Sequence, residues 1–308
     1  MDAEVGFVGL GNMGLPIACR MLEHGVHVVG FDKRANAVKS SFMEAGGRWA
    51  DSAAEMASRC AIVLASLPTP DAVEAVTSGP DGLLQGSGIT TFIDLSTTGP
   101  RVAKSVAEKL ARQNITALDA PVSGGVHGAS KGALTVMVSG PQDAFSKTEH
   151  LLRMFGKYVF YVGTEPGMGQ LMKLINNLLS ATALAASCEA LAVGIKGGLD
   201  PRVMLSVLNA STGNNSATQH KIPECVLPGV PIGFSLDLSL KDISLCVEAG
   251  EELHVPMWSG NTTRQIWRHA LATGGPDQDM MDVARCIEQW AGIKLQGASP
   301  LPAKANQP

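Results

Sequence analysis

The sequence lacks the signatures of several protein classes. Its six cysteines stand singly and none forms a CxxC pair, so nothing indicates a zinc site or a redox dithiol. The formal net charge is −4, which gives no basic surface for nucleic acid and no polybasic membrane anchor. We therefore expect free thiols in a reducing, cytoplasmic compartment, and no metal, nucleic-acid or membrane partner.

The sequence also gives no signal for a targeting peptide or a membrane-spanning segment. The residues before the first apolar run are acidic, whereas a signal peptide begins with basic residues. The most apolar stretch, Leu178–Ile195, contains Glu189, and a central carboxylate is costly in lipid. This stretch is therefore interpreted as a buried helix of a soluble protein.

The first half of the chain alternates short apolar runs with helical patterns. This alternation is typical of βαβ units and predicts an α/β domain with a mostly parallel sheet and helices on both faces. The predicted strands are Val5–Leu10, Val26–Phe31, Ala61–Leu67, Thr91–Leu95, Ala117–Ala120, Leu134–Ser139 and Tyr158–Val162. The predicted helices between them are Met13–His24, Ala35–Ala45, Ala53–Ser58, Asp71–Thr77, Pro100–Gln113 and Pro141–Phe155.

After Val162 the strand signals stop. The turn-rich segment Gly163–Gly167 precedes one long predicted helix, Met168–Lys196. Helical patterns continue at Arg202–Asn209, Leu238–Leu253, Met257–Ala272 and Ala284–Trp290. The predicted organisation is an α/β domain over residues 1–163, an all-α domain over 164–295 and a flexible tail over 296–308.

A glycine-rich turn follows the first predicted strand. Its sequence, Gly-Leu-Gly-Asn-Met-Gly, matches G-x-G-x-x-G and leads directly into a predicted helix. Glycines in this context allow a tight turn, a close backbone approach to a pyrophosphate and close packing of the helix on the strand. The context predicts a Rossmann-type dinucleotide-binding domain, and a glycine turn without a ligand is the alternative. The predicted cofactor residues here are Gly9, Gly11, Asn12, Met13 and Gly14.

Asp32 closes the second predicted strand. An acidic residue there accepts hydrogen bonds from the adenosine ribose hydroxyls and repels a 2′-phosphate, which favours NAD over NADP. NADP stays open as the alternative, because Lys33 and Arg34 follow at once and a basic residue can bind that phosphate. A second alternative is that Asp32 caps the next helix.

Two more strand ends are predicted to line the cofactor. In an open α/β sheet the ligand lies beyond the carboxyl ends of the strands, where Leu67, Pro68 and Thr97 are placed. Ser96, Thr97 and Thr98 fit equally well as caps of the helix that begins at Pro100.

A lysine and two asparagines stand out in the long apolar helix. Lys173 and Asn177 are four residues apart and therefore share a helix face, and Asn176 lies beside them. Packing does not explain such a group. A dehydrogenase must remove a hydroxyl proton, and a partly buried lysine amine can serve as the general base. Lys173 is therefore the predicted catalytic residue.

Ser123, Gly124 and Gly125 follow a predicted strand in the sequence Asp-Ala-Pro-Val-Ser-Gly-Gly. A turn of this kind can bind a carboxylate through the serine hydroxyl and main-chain N–H groups. A plain glycine turn is the alternative. By itself Lys241, next to Asp242, is typical of a solvated surface lysine, and a lysine that reaches the cofactor cleft is the alternative.

Together, these blocks resemble the β-hydroxyacid dehydrogenase family, over about Val5 to Gly292. The resemblance implies that Lys173 is the catalytic lysine, that Ser123, Gly124 and Gly125 hold the substrate carboxylate and that Asn177 lies near the substrate. It further implies that Thr97 lies at the nicotinamide end, that Phe234 and Lys241 close over the cofactor and that the chain forms a homodimer or homotetramer.

We expect an NAD-dependent oxidoreductase that interconverts a small 3-hydroxy acid with its semialdehyde or 3-oxo acid. A non-catalytic NAD(H)-binding sensor or scaffold of the same fold is the alternative. A phosphogluconate-type enzyme is less favoured, because the chain has no basic cluster for a phosphate. Ser211–Ser216 carries two asparagines where many family members have an aromatic residue, which suggests a more polar substrate than hydroxyisobutyrate.

Overall fold

The computed structural model describes residues 4–274 and 277–295. The chain divides into two compact units between Leu174 and Ile175. The predicted flexible tail, 296–308, lies outside the described residues.

The first unit is built on one nine-stranded sheet with the order β3-β2-β1-β4-β5-β6-β8-β7, and β9 pairs with β8. Strands β1 to β6 pair in parallel, whereas β8 runs antiparallel to β6 and β7. The order from β3 to β6 is that of a Rossmann sheet, in which the progression of the parallel strands across the sheet reverses between β1 and β4. The strands are β1 (Glu4–Val8), β2 (His27–Phe31), β3 (Arg48–Trp49), β4 (Ile62–Ala65), β5 (Thr91–Asp94), β6 (Thr116–Asp119), β7 (Val122–Ser123), β8 (Leu134–Ser139) and β9 (Gly156–Gly163).

Helices cover the sheet because its strands are apolar on both faces. Along β1 the side chain of Phe7 enters one buried cluster and that of Val8 enters another, as the two-residue repeat of a strand requires. Both clusters need a layer of helices to exclude water. The helices of this unit are α1 (Gly14–Glu23), α2 (Ala35–Glu44), α3 (Ala53–Arg59), α4 (Pro70–Ser78), α5 (Pro100–Ala111), α6 (Gly125–Ser130) and α7 (Gln142–Leu152).

The predicted α/β class with a mostly parallel sheet is confirmed, but the short elements β3, β7, α6 and a 3-10 helix at Leu83–Gln85 were not predicted. Strands β3 and β7 have two residues each, and α6 has six. Two residues cannot display an alternating pattern, and one and a half turns cannot display a helical one. Strands β3 and β7 exist because β2 and β8 supply their hydrogen-bond partners, and α6 packs against α1.

The second unit is helical and follows directly from α8 (Met168–Lys196), which carries the division between the units. Its other elements are α9 (Pro201–Asn209), a π-helix (Ala217–Val226), α10 (Leu236–Glu252), α11 (Trp258–Thr273) and α12 (Val283–Ala291). The π-helix was not predicted, and it contains Pro223.

Helix α8 is long and apolar enough to cross a membrane by length and composition, and 44% of its most apolar window is buried. Its buried residues, among them Leu178, Ala181, Ala185, Cys188 and Ala192, follow the three- and four-residue spacing of a helix face that packs on a protein core. Glu189 lies on the exposed face.

The glycine turn between β1 and α1 depends on the absence of side chains at two of its glycines. A Cβ on Gly14 would lie 1.8 Å from the carbonyl oxygen of Gly9, and Gly9 itself has φ +86°. At Gly11 a Cβ would meet only the guanidinium of Arg34, at 2.9 Å, and the Arg34 side chain is exposed and flexible.

We expect Gly14→Ala to destabilise the protein by about 3 kcal/mol, because the new methyl group must push α1 away from β1. Gly11→Ala is the matched control and should unfold like the parent protein. Thermal unfolding followed by circular dichroism measures both variants. Equal melting temperatures for Gly14→Ala and the parent would contradict the packing argument.

Candidate active site

The candidate cofactor residues of the first unit follow four parallel strands. Gly9, Gly11, Asn12, Met13 and Gly14 follow β1, Asp32 follows β2, Leu67 and Pro68 follow β4, and Thr97 follows β5. The carboxyl ends of parallel strands lie at the same edge of a sheet, so the fold brings these loops to one edge. Residues distant in the sequence are thereby collected on either side of the β1–β4 crossover.

Asp32 braces the glycine turn. The Leu10 N–H donates to its Oδ2 at 2.8 Å, and the Arg34 N–H donates to its Oδ1 at 2.8 Å. The Asp32 side chain is only 7% exposed, and the Arg34 Nε lies 3.5 Å from Oδ1. Both oxygens therefore accept protein hydrogen bonds. Since a carboxylate has about four acceptor sites, capacity remains for a ribose hydroxyl.

The glycine turn borders an open cleft beside α1. The cleft has a volume of about 610 Å³, and its lining includes Leu10, Gly11, Asn12 and Arg34. Because Gly11 has no side chain, its backbone is open to a ligand. Helix α1 begins at Gly14, which is buried. Free N–H groups at this helix start suit a pyrophosphate.

Ser96 links two of the loops rather than capping a helix. Its hydroxyl accepts a hydrogen bond from the Leu67 N–H at 2.9 Å, and the residue at the N-cap of α5 is Gly99. The capping alternative for Ser96 is therefore not realised. Ser96 was a missed structural residue of the site, and only the contact between the loops after β4 and β5 reveals its role.

Lys173 lies in the second turn of α8 and is 8% exposed. The start of this helix is tied to the sheet by Asp119, whose Oδ1 accepts from the Gly167 N–H and whose Oδ2 accepts from the Gln170 N–H, both at 2.9 Å. Ser139 donates to Asp119 Oδ1 at 2.8 Å and accepts from the Gly169 N–H at 2.8 Å. Lys173 is thus carried by a helix start fixed to the carboxyl end of β6.

Burial raises the pKa of the Asp119 carboxyl, although its hydrogen bonds from Gly167, Ser139 and Gln170 oppose the rise. The sequence marked Asp119 only as the first residue of the Ser-Gly-Gly block. Its function as the acceptor for the start of α8 depends on a contact across 48 residues, which no local pattern records.

Ser123, Gly124 and Gly125 form a strand end and a helix start. Ser123 is the last residue of β7 and lies opposite Thr135 of β8, and Gly125 is the first residue of α6. Gly124 has φ +132° and Gly125 has φ +66°, backbone conformations that favour glycine. Both glycines are exposed, so their backbone groups are accessible to a ligand.

In the second unit, Asn177 and Lys241 contact one carboxylate. Asn177 Nδ2 donates to Asp242 Oδ2 at 2.6 Å, and Lys241 Nζ lies 3.1 Å from Asp242 Oδ1. Asp242 is 2% exposed. Asn176 donates to Asn177 Oδ1 at 3.2 Å, so both ends of the Asn177 amide are oriented. Asp242 was not among the predicted site residues, because only the packing of α10 against α8 pairs it with Asn177.

Phe234 lies before α10 and is partly buried. Its N–H donates to Asp279 Oδ2 at 3.1 Å, and its carbonyl accepts from the Met280 N–H at 2.9 Å. Asp279 thus holds the segment that carries Phe234.

The two asparagines of the divergent segment Ser211–Ser216 bind to the protein itself. Asn215 Oδ1 accepts from the N–H of Ala217 at 2.8 Å, and Asn215 Nδ2 donates to Ser187 at 3.1 Å. Asn214 donates to the Ser211 carbonyl at 2.8 Å. These contacts give both asparagines a structural role, and the polar-substrate interpretation stays a prediction.

Four of the six cysteines are buried, which favours unreactive thiols. Burial raises the pKa of Cys60 and Cys246 to about 11 and that of Cys188 to about 12. Within residues 4–274 and 277–295, no group of three or more His, Cys, Asp or Glu side chains is arranged to hold a metal ion.

Both halves of the chain match known families. Residues 4–163 match the NAD-binding domain of 6-phosphogluconate dehydrogenase. Residues 167–287 match the family described as the NAD-binding domain of NADP-dependent 3-hydroxyisobutyrate dehydrogenase.

Relatives match over nearly the whole chain. The 2-(hydroxymethyl)glutarate dehydrogenase of Eubacterium barkeri is 35% identical, with 96% of this chain and 98% of the relative covered. The 3-hydroxyisobutyrate dehydrogenase of Pseudomonas aeruginosa is 37% identical, with 87% and 93% covered. The solved structure of Mycobacterium tuberculosis 3-hydroxyisobutyrate dehydrogenase with L-serine has a TM-score of 0.82 at 30% identity, with 93% of this chain and 99% of that chain covered.

These relatives are catalytic proteins, so the reading of the chain as a non-catalytic sensor or scaffold is not favoured. The Rossmann order of the sheet, the glycine turn and the matches in both halves agree. The chain belongs to the β-hydroxyacid dehydrogenase family and is an NAD(P)-dependent oxidoreductase that acts on the CH–OH group of a small hydroxy acid.

Proposed function

We propose that Lys173 is the general acid–base of this enzyme, and that the substrate is a short 3-hydroxy acid interconverted with its semialdehyde or 3-oxo acid. One observation carries the proposal: Lys173 is a buried amine, 8% exposed, on a helix start that Asp119 fixes to the sheet edge where the cofactor residues lie. A lysine amine that is partly buried beside the cofactor edge is the kind of group that general acid–base catalysis uses.

When bound at these residues, the nicotinamide cofactor would supply the acceptor for a hydride from the carbon that carries the hydroxyl group. The neutral amine of Lys173 accepts the hydroxyl proton as the carbonyl forms, and in the reverse direction the ammonium returns it. Proton transfer at a fixed amine avoids a free alkoxide. The rigid first turns of α8 hold the amine in place, which lowers the entropy cost of reaching the reactive geometry.

The substrate carboxylate is assigned to Ser123, Gly124 and Gly125. The supporting observations are the exposed glycines with positive φ and the half-buried Ser123 at the end of β7. Successive backbone N–H groups in such a conformation form an anion-binding concavity. Asn177 is assigned to the substrate, with its amide oriented by Asp242 and Asn176.

The cofactor is assigned to Gly9, Gly11, Asn12, Met13, Gly14, Asp32, Leu67, Pro68 and Thr97, with Phe234 and Lys241 closing over it. We assign NAD rather than NADP, because the Asp32 carboxylate is held at the glycine turn and repels a 2′-phosphate. Residues 1–163 would then bind the nucleotide, and residues 164–295 would carry the helical substrate and assembly functions.

The assembly is proposed to be a homodimer or homotetramer in the cytoplasm. Large apolar side chains remain exposed on α8 and α9, with Leu179 at 65%, Val193 at 75% and Val203 at 62%. Exposed apolar surface of this kind is typical of a protein–protein interface. We propose a second copy of the chain as the partner, because most soluble oligomers are symmetric assemblies of identical chains.

We expect Lys173→Ala to lower kcat by roughly 10²- to 10⁴-fold, the usual contribution of general acid–base catalysis. NADH affinity, measured by fluorescence titration, should stay unchanged. The assay uses NAD with a panel of 3-hydroxyisobutyrate, 2-(hydroxymethyl)glutarate, glycerate, threonate, serine and a sulfonated analogue. Lys109→Ala, at a surface ion pair with Glu74, is the control. Parental turnover by Lys173→Ala would overturn the assignment.

Ser123→Ala should raise the KM of the hydroxy acid and lower kcat/KM by roughly 10- to 100-fold, because a hydrogen bond to a charged group is lost. NADH binding should not change. Ser130→Ala removes an exposed hydroxyl of α6 that donates to the His127 carbonyl, and it serves as the matched control. If both variants have the same KM, Ser123 does not hold the substrate.

Asp32→Asn should raise the ratio of kcat/KM with NADPH to that with NADH, because it removes the charge that repels a 2′-phosphate. In Arg34→Ala this ratio should stay as low as in the parent enzyme, since NAD carries no 2′-phosphate for Arg34 to bind. Steady-state kinetics with both cofactors measure the ratio. A parent enzyme that prefers NADPH, and loses that preference in Arg34→Ala, would reverse the cofactor assignment.

A further inference from the structure

The side chain of Gln170 joins two parts of the site within the first unit. It is fully buried, at 0% exposure, in the first turn of α8. Its Oε1 accepts from the Thr98 N–H at 2.9 Å and from the Gly99 N–H at 3.2 Å. Its Nε2 donates to the Ser96 carbonyl at 2.9 Å. A single amide therefore binds three backbone groups of the loop Ser96–Gly99.

This arrangement is specific to an amide side chain. Two N–H donors converge on one oxygen and one carbonyl faces the nitrogen, so a carboxylate would place an oxygen against the Ser96 carbonyl, and an apolar side chain would satisfy none of the three groups. Gln170 is also fixed from behind, since its own N–H donates to Asp119 Oδ2 at 2.9 Å. The side-chain amide and the backbone N–H of Gln170 are thus both hydrogen-bonded.

The two segments that Gln170 joins carry different parts of the proposed chemistry. The loop contains Thr97, assigned to the nicotinamide end of the cofactor, and Lys173 lies three residues after Gln170 on the same helix. Residues three apart lie on neighbouring positions of a helix surface. A displacement of the loop relative to the helix would therefore change the position of Lys173 relative to Thr97.

We propose that Gln170 is a positioning residue of the reaction, which sets the helix carrying Lys173 against the Ser96–Gly99 loop through its amide. The proposal rests on the proposed role of Lys173. Gln170 touches neither the reacting atoms nor the substrate, so its loss lowers the rate of the chemical step and leaves cofactor binding intact.

The test uses two substitutions in the full chain. Gln170→Met keeps the length of the side chain and removes all three hydrogen bonds. Gln170→Ala leaves room for water to satisfy the freed backbone groups, so that this variant can fold if the first cannot. Thr77→Val is the control, because it removes a fully buried hydroxyl whose hydrogen bonds stay within α4.

The kinetic readout is kcat per mole of bound NADH, with the acid of the panel that the parent turns over fastest. We expect a decrease of roughly 10- to 100-fold for the Gln170 variants, the usual effect of a small misplacement of reacting groups. NADH affinity and the Thr77→Val rate should match the parent. Because only folded molecules bind NADH, a partly unfolded variant cannot mimic this decrease. A parental kcat per bound NADH in the folded Gln170 variants would overturn the proposal.

A second readout does not depend on the substrate or on Lys173. Hydrogen exchange followed by mass spectrometry should show that the segments around Ser96–Gly99 and the start of α8 exchange slowly and together in the parent, and faster in the Gln170 variants. If the two segments of the parent exchange independently, the proposed coupling through Gln170 is refuted, even if no variant folds. If Lys173→Ala keeps full turnover while the two segments exchange together, the proposed function fails, and Gln170 remains a structural link between the helix and the loop.

Discussion

Buried carboxylates at the ends of parallel strands hold the loops of this site. Asp32 after β2, Asp94 at the end of β5 and Asp119 at the end of β6 are each at most 7% exposed. Each accepts a backbone N–H of a loop: Asp32 from Leu10, Asp94 from Ser96 at 2.9 Å, and Asp119 from Gly167. Hydrogen bonds to an ionised acceptor are stronger than neutral ones, and a buried N–H left without an acceptor costs about 1–3 kcal/mol.

These hydrogen bonds to buried carboxylates hold the loops of the site at one edge of the sheet. The glycine turn cannot move away from β2 without losing the Leu10–Asp32 bond, and the loop after β5 cannot move without losing its bonds to Asp94 and Gln170. Glycine is required where backbone approaches backbone, as at Gly9 and Gly14. Open backbone remains at Gly125, where no protein atom lies within 4 Å of an added Cβ, and at Gly11, where only the Arg34 guanidinium is close.

The second unit uses the same chemistry with a different fold. Asp242 is buried among helices and binds the amide of Asn177 and the ammonium of Lys241. A buried charge needs a partner of opposite charge or several hydrogen bonds, so the three side chains depend on one another. Buried carboxylates thereby fix candidate site residues in both units, at strand ends in the first unit and between two helices in the second.

The sequence by itself determined the fold class, the positions of the long helices and strands, the glycine turn and the family. These features are local: a two-residue or helical repeat and a glycine spacing can be read within a dozen residues, because each element must bury one face. The start of α8 at Met168 and its end at Lys196 followed from apolar periodicity and the glycines beyond it.

Only the tertiary structure decided which polar side chains meet. Ser96 binds the Leu67 N–H instead of capping α5, Asn215 accepts from the N–H groups of Ala217 and Thr218 at the start of the π-helix, and Gln170 binds a loop 71 residues away. The short strands β3 and β7 form only where β2 and β8 supply their hydrogen-bond partners. A hydrogen bond between distant residues leaves no periodic trace in the chain, because its partners are brought together only when the sheet and helices pack.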